Sequence, residues 1–228
     1  MMVTKEVEEY AWNKKRQAVY GYLKTIDKKR IRLLDIGCNI GGQLAEYSKL
    51  LEGEFIGLDI RKFREWNSLN YDFIVGDARK LPFKDEVFDV VVATEVIEHF
   101  VEGELFLAEA HRVLKQNGVL ILTTPNRLRF YMLHKNLFAS LTGKKFTGGF
   151  TREHPREYSP HELVCLLKDA GFQVEKIEYI AFSPYLGLPF KLYRLFDNFS
   201  DKFLKKFLKW DMMAIARKIN QEIQVARI

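Results

Sequence analysis

LLDIGCNIGGQL, residues 33–44, opens as an apolar run holding Asp35, passes Gly37, Gly41 and Gly42, and then enters a segment with helical periodicity. Strand, glycine turn and helix in that order form the first unit of a parallel α/β sheet. Ligands of such sheets lie beyond the carboxyl ends of the strands, where strand order reverses, usually just after the first strand. Gly37 and Gly41 let the backbone bend sharply and approach a ligand closely, and the following helix offers unpaired N–H groups. The same turn can be a plain connection without a ligand, so its neighbours have to decide.

Outward from it, short apolar runs alternate with helical segments. IRLLDI (31–36), EFIGLDI (54–60), DFIVGD (72–77), VFDVVVAT (87–94) and GVLILTTP (118–125) read as strands covered on both faces. GQLAEYSKLLEG (42–53) and GELFLAEAHRVLKQNG (103–118) each carry one apolar face and end at a glycine, where a strand follows. Beyond Pro125 come a basic aromatic segment (126–153), a helix introduced by YSPHEL (158–171), a strand (172–182), a second basic aromatic helix (about 186–208) and a last strand (211–218). The expected fold is α/β and Rossmann-like: a seven-stranded, mostly parallel sheet with helices on both faces and a helical cap. The last strand is expected to run antiparallel.

Composition limits the function classes. With 228 residues, 47% of them apolar and 14% aromatic, the chain can bury one sizeable core, and we expect a single domain over residues 1–228 with cap insertions at about 126–157 and 184–208. The N-terminal stretch lacks an apolar signal-peptide core, and the most apolar runs are short and broken by Asp89, Glu95 and Pro125, so the expectation is a soluble, cytoplasmic protein. Cys38 and Cys165 stand in unlike contexts without CxxC spacing, which excludes a disulfide framework or a thiolate metal site. A net charge of +6 is compatible with an anionic partner and equally with simple solubility.

Four successive strand ends carry polar residues. Asp35 and the glycine turn end the first, Asp59 the second about twenty residues on, Asp77 the third, and Thr94 with Glu95 the fourth. A carboxylate at the second position can accept two hydrogen bonds from ribose hydroxyls. DIGCNIGG lacks the lysine and Ser/Thr of a phosphate-binding loop and the GxGxxG dinucleotide spacing. A nucleoside without a phosphate tail fits it better than a nucleotide.

The ordered set LLDIGCNIGG, FIGLDI, GDARKLPFKDEVFDVVVATEVIEHF, HRVLKQNGVLILTTPN and YSPHELVCLLKDAGF resembles the class I S-adenosylmethionine-dependent methyltransferases, small-molecule type, which include the ubiquinone-pathway O-methyltransferases. The resemblance covers roughly residues 30–182. It implies that Asp35, Gly37 and Gly41, with Cys38 and Asn39 in the same loop, cradle the methionine part of S-adenosylmethionine. Asp59 would take the ribose with Ile60 beside it, Asp77 and Ala78 would flank the adenine, and Thr94 would line the sulfonium side. Asn39 stands where many relatives carry glycine; asparagine tolerates positive φ, so the turn is expected to survive. The activity implied is methyl transfer to an oxygen of a small apolar or aromatic acceptor. A cofactor-binding interaction protein without turnover is the non-enzymatic alternative.

Methyl transfer from a sulfonium asks the protein to align the acceptor and let it lose a proton. EVIEH places Glu95, Glu98 and His99 at i, i+3 and i+4, on one face of a helix begun at the end of the fourth strand, beside the cofactor. Oxygen and nitrogen ligands of this kind suit Mg²⁺, Mn²⁺ or Zn²⁺, and His154 follows as a fourth candidate. Small-RNA 2′-O-methyltransferases resemble this set at Glu95, Glu98, His99 and His154, which adds a metal-dependent RNA ribose methyltransferase as an alternative. His99 can equally serve as a metal-free general base or an acceptor contact, or simply pack. The segment from Asn126 to Arg152 has Arg127, Arg129, Lys135, Lys144, Lys145 and Arg152, no acidic residue, and interleaved aromatics. Basic plus aromatic suits an anionic ring, a lipid head group or single-stranded RNA. Phe196, Phe199, Phe203 and Phe207 form one helical stripe ringed by Lys202, Lys205, Lys206 and Lys209, read either as an acceptor lid or as a packed cap with solvated lysines.

Overall fold

The computed structural model describes residues 5–128, 155–182, 189–202 and 209–219. Helix α1 (Lys5–Leu23) leads into β1 (Ile31–Ile36), α2 (Gly42–Leu50), β2 (Gly53–Asp59), β3 (Asp72–Val75), β4 (Phe88–Thr94), α3 (Gly103–Val113), β5 (Leu114–Pro125), α4 (Pro160–Asp169), β6 (Phe172–Phe182), α5 (Phe190–Lys202) and β7 (Lys209–Lys218). The strands form one sheet in the order β3-β2-β1-β4-β5-β7-β6. β1 to β5 are parallel, whereas β7 runs antiparallel to both β5 and β6. Order therefore reverses between β1 and β4, and the inverted β7 brings its first residues to the same edge where the parallel strands end, Asp211 opposite Pro125.

Alternation along the strands divides the core in two. Leu34, Val91, Leu120, Leu122 and Met212 face α3 and α4, while Leu33, Val90, Val92, Ile121 and Met213 face α1 and α2. Burying the strands on both faces explains their unbroken apolar runs. Among the described residues no helix is long and apolar enough to cross a membrane.

Several expected elements shift. α1 was not foreseen, because only Val7, Ala11, Val19 and Leu23, with Lys15 among them, mark its buried stripe in an otherwise polar sequence. α3 ends at Val113, and the chain turns extended at Leu114, which pairs with Phe88 before Lys115–Gly118 bulge out around Asn117 at φ 62°. The expected α-helix does not begin at the end of β4. Glu95 takes φ 56°, and Ile97–His99 form a single 3₁₀ turn. Most of the first cap segment, residues 129–154, lies outside the described residues; of the second, α5 is described.

Candidate functional site

The loop after β1 is pinned to β2. Gly37 and Cys38 donate their N–H groups to the Leu58 carbonyl at 2.8 and 3.1 Å, and Gly41 donates to the Cys38 carbonyl at 2.9 Å. Gly37, Asn39 and Gly41 all have positive φ, at 74°, 50° and 83°. A Cβ on Gly37 would meet Val96 at 2.7 Å, and one on Gly41 would meet the Phe73 ring at 2.5 Å. Asparagine holds the middle left-handed position, as expected of it, and its carbonyl accepts a 2.7 Å bond from the Trp66 indole, which stacks on Phe73. Gly37, Asn39 and Ile40 stay exposed on the outer side of this turn, and Cys38 points inward, its thiol pKa pushed up by burial and then by the Asp35 and Asp59 carboxylates.

Two carboxyl groups face this loop. Asp35 is 3% exposed, and its Oδ2 has no hydrogen-bond partner among the described residues. Burial, then the neighbouring Asp59 charge, pushes its pKa up to about 8. A buried oxygen without a partner beside an open glycine turn is the kind of group a ligand ammonium or hydroxyl satisfies. Asp59, at the end of β2, accepts the Asn39 N–H at 3.0 Å on Oδ2 and the Arg61 N–H at 3.0 Å on Oδ1, which aims the carboxylate along the loop while leaving each oxygen a second lone pair. Ile60 beside it is exposed. Just beyond β3, Asp77 is held by Arg79, backbone at 2.8 Å and guanidinium at 2.7 Å, whose hydrogen bonds lower its pKa, and Ala78 sinks into the core. Thr94 ends β4 half-buried, in register with Thr123 of β5. The ten residues assigned to the cofactor thus lie along the ends of β1 to β4 and the loops that follow. This set suits a nucleoside that also carries an amino-acid group: a buried carboxyl and an exposed left-handed turn on one side, a second carboxylate on the other. A concavity of about 700 Å³ opens instead at the opposite edge, around Gly53, Glu54 and Asp72, and touches none of them. Strand-end chemistry rather than cavity size marks the site.

Glu95, Glu98 and His99, the three members of the expected metal tetrad assigned to one helix face, do not share such a face. Glu95 and Glu98 are held by consecutive threonines of β5, which point to opposite faces of the sheet. Thr123 donates to Glu95 Oε1 at 3.0 Å on the α1 side, and Thr124 donates to Glu98 Oε2 at 3.0 Å on the α3 side. Glu98 is fully buried, with its pKa raised well above the usual carboxyl range by burial and then by Glu95, and His99 projects exposed from the 3₁₀ turn. His154 lies outside the described residues, among which no group of three His, Cys, Asp or Glu side chains is placed to hold a metal ion. The physical reason is the left-handed Glu95, which breaks the helix that the i, i+3, i+4 spacing presumes.

Sequence reasoning missed Lys15 and Asp211. Lys15 reaches from α1 to Glu95 Oε2 and Asp211 Oδ2, both at 3.1 Å. The one available signal was a lysine standing in a four-residue apolar stripe. Lys209, read as one of the lysines ringing the phenylalanine stripe, begins β7 fully buried and pairs with Asp197 of α5 at 2.6 Å. Of the phenylalanine stripe, Phe196 and Phe199 are exposed on α5, and Phe203 and Phe207 lie outside the described residues, as do Arg129, Lys135, Lys144, Lys145, Arg152, Lys205 and Lys206.

Residues 34–122, from within β1 to within β5, match the family model of a methyltransferase domain. The ubiquinone biosynthesis O-methyltransferase of Ruegeria pomeroyi is 32% identical over 162 residues, covering 68% of this chain and 64% of that protein. The enzyme of the same name from Azorhizobium caulinodans is 29% identical over 171 residues, covering 70% of this chain and 65% of that one. The chain thus spans about two thirds of the length of these curated relatives. The 1,6-didemethyltoxoflavin-N1-methyltransferase of Burkholderia thailandensis, solved with S-adenosylhomocysteine, has a similar fold: TM-score 0.63 at 15% identity, covering 93% of this chain and 83% of that one.

Proposed function

The chain belongs to the class I S-adenosylmethionine-dependent methyltransferases, and from that premise we propose that it moves the methyl group of S-adenosylmethionine to an oxygen of a small apolar or aromatic acceptor. The observation that carries the cofactor assignment is Asp35, a buried carboxyl whose Oδ2 has no partner among the described residues, beside an open left-handed turn. In this reading Asp35 receives the ammonium of the methionine moiety, the Gly37–Gly41 loop lies against its chain, and Asp59 receives the ribose hydroxyls. Ile60, Asp77 and Ala78 border the adenine, and Thr94 flanks the sulfur. When bound, the cofactor supplies an electrophilic methyl group, so the protein's share is alignment and a route for the acceptor proton.

His99 is the residue proposed for that proton. It is exposed just beyond the end of β4, and a neutral imidazole nitrogen there would take the proton of an acceptor hydroxyl as the methyl arrives. The oxygen preference and the acceptor class rest on the ubiquinone-pathway relatives. Incubation with tritiated S-adenosylmethionine and fractionated cell extract, followed by identification of the labelled product, tests the reading. Label in an O-methyl ether of a small apolar molecule supports it; label confined to RNA, or none with any fraction, refutes it. His99→Gln should lower turnover about 10²–10⁴-fold with cofactor affinity retained. Turnover that survives chelator but collapses in this variant assigns the proton to His99 without a metal.

A further inference from the structure

The turn between β4 and His99 is not supported by its own sequence. Glu95 sits in the left-handed region without being glycine, and the 3₁₀ turn that follows is three residues long. Bonds from outside hold it. The Glu95 N–H donates to the Thr123 carbonyl at 3.1 Å, and its Oε1 accepts from the Thr123 hydroxyl. Its Oε2 faces Lys15, whose side chain is 6% exposed, lies 3.1 Å from Asp211 as well, and has the Trp12 ring at 4.3 Å. Burial works against the Lys15 charge, but Glu95 and Asp211 outweigh it and hold its pKa above the usual value. The adjacent Lys14 pairs at 2.6 Å with Asp197 of α5. One turn of α1 therefore ties the strand-end turn, β7 and the cap helix together.

Resting on the methyltransferase reading above, we propose that Lys15 is a positioning residue for methyl transfer: its ion pair with Glu95 fixes the turn that carries His99 just beyond the end of β4. A core lysine needed only for stability would have served with the Asp211 carboxylate alone. The second partner lies in a left-handed residue between Thr94 and His99, and that links α1 to the chemistry.

Lys15→Met keeps the aliphatic stem and removes the charge. In this variant, amide exchange should rise selectively over Glu95–His99, S-adenosylhomocysteine affinity by calorimetry should stay within about threefold, and the initial rate of tritiated methyl incorporation into cell extract should fall about a hundredfold, as expected when a reacting group is misplaced. Lys15→Arg should recover most of the rate. If Lys15→Met does not fold, Glu95→Gln, which weakens the same link and leaves Lys15 its Asp211 partner, carries the same expectation. A folded Lys15→Met or Glu95→Gln protein with wild-type rate and wild-type exchange over the turn overturns this proposal alone. A wild type that binds no S-adenosylhomocysteine takes the cofactor reading down with it.

Discussion

Asp35 lies on the boundary between stability and binding. Its folded pKa of about 8 stands above the ~3.9 of an unfolded aspartate, so the folded state favours the protonated form. The contribution to stability is fully present below about pH 4 and is lost as the pH rises to about 8. Without cofactor, the stability of wild type relative to Asp35→Asn should therefore drop by something on the order of 3–5 kcal/mol across that window, measured by urea unfolding at several pH values. If a cofactor ammonium pairs with Asp35, binding at pH 7 releases a proton. Calorimetry in buffers of different ionisation enthalpy should then give different apparent enthalpies, and identical values would refute the pairing. Asp59→Ala should weaken S-adenosylhomocysteine binding by about 1.5–3 kcal/mol, the usual loss for bonds to a charged group. Gly37→Val should do worse, because a β-branched residue is strained at φ 74° and its Cβ collides with Val96. Unchanged affinity in both variants would place the site elsewhere.

Among the elements, α4 shows how local chemistry sets a boundary. Ser159 Oγ accepts the Glu162 N–H at 3.3 Å while Glu162 Oε2 accepts the Ser159 N–H at 2.8 Å, and Pro160 opens the first turn. Ser159→Ala should cost about 1 kcal/mol in urea unfolding, with the cofactor affinity unaltered. A loss below about 0.3 kcal/mol would show that packing of Leu163, Leu166 and Leu167 holds the helix start without the cap. At β4 the outcome is opposite. EVIEH has helical spacing, but Thr123 and Thr124 pull Glu95 and Glu98 to opposite faces of the sheet, so tertiary hydrogen bonds override the local pattern.

At the scale of the molecule, α1, α5 and β7 meet around Asp197. This buried carboxylate receives Lys14 at 2.6 Å, Lys209 at 2.6 Å and the Tyr10 hydroxyl at 3.2 Å. Breaking a buried pair from one side leaves charge in the interior, so Asp197→Asn should destabilise the protein by about 3–5 kcal/mol in denaturant titration. A change under about 1 kcal/mol would mean that water reaches the two lysines once the carboxylate is gone.

The succession of strands along the chain, their mostly parallel run and the placement of Asp35, Asp59, Asp77 and Thr94 at strand ends were legible in the sequence, because strands buried on both faces must be apolar throughout and a parallel sheet puts successive strand ends on one edge. The glycine turn was legible for the same kind of local reason: left-handed backbone selects glycine or asparagine. What holds Glu95, at the start of the turn before His99, was not. Lys15 and Asp211 stand far from Glu95 in the chain, and Lys15 meets both carboxylates because β7 inserts antiparallel between β5 and β6 and α1 packs across the same edge. Charge pairing in the interior depends on which segments are brought together, and a pattern of neighbours along the chain carries no record of that; the tertiary structure alone decided it.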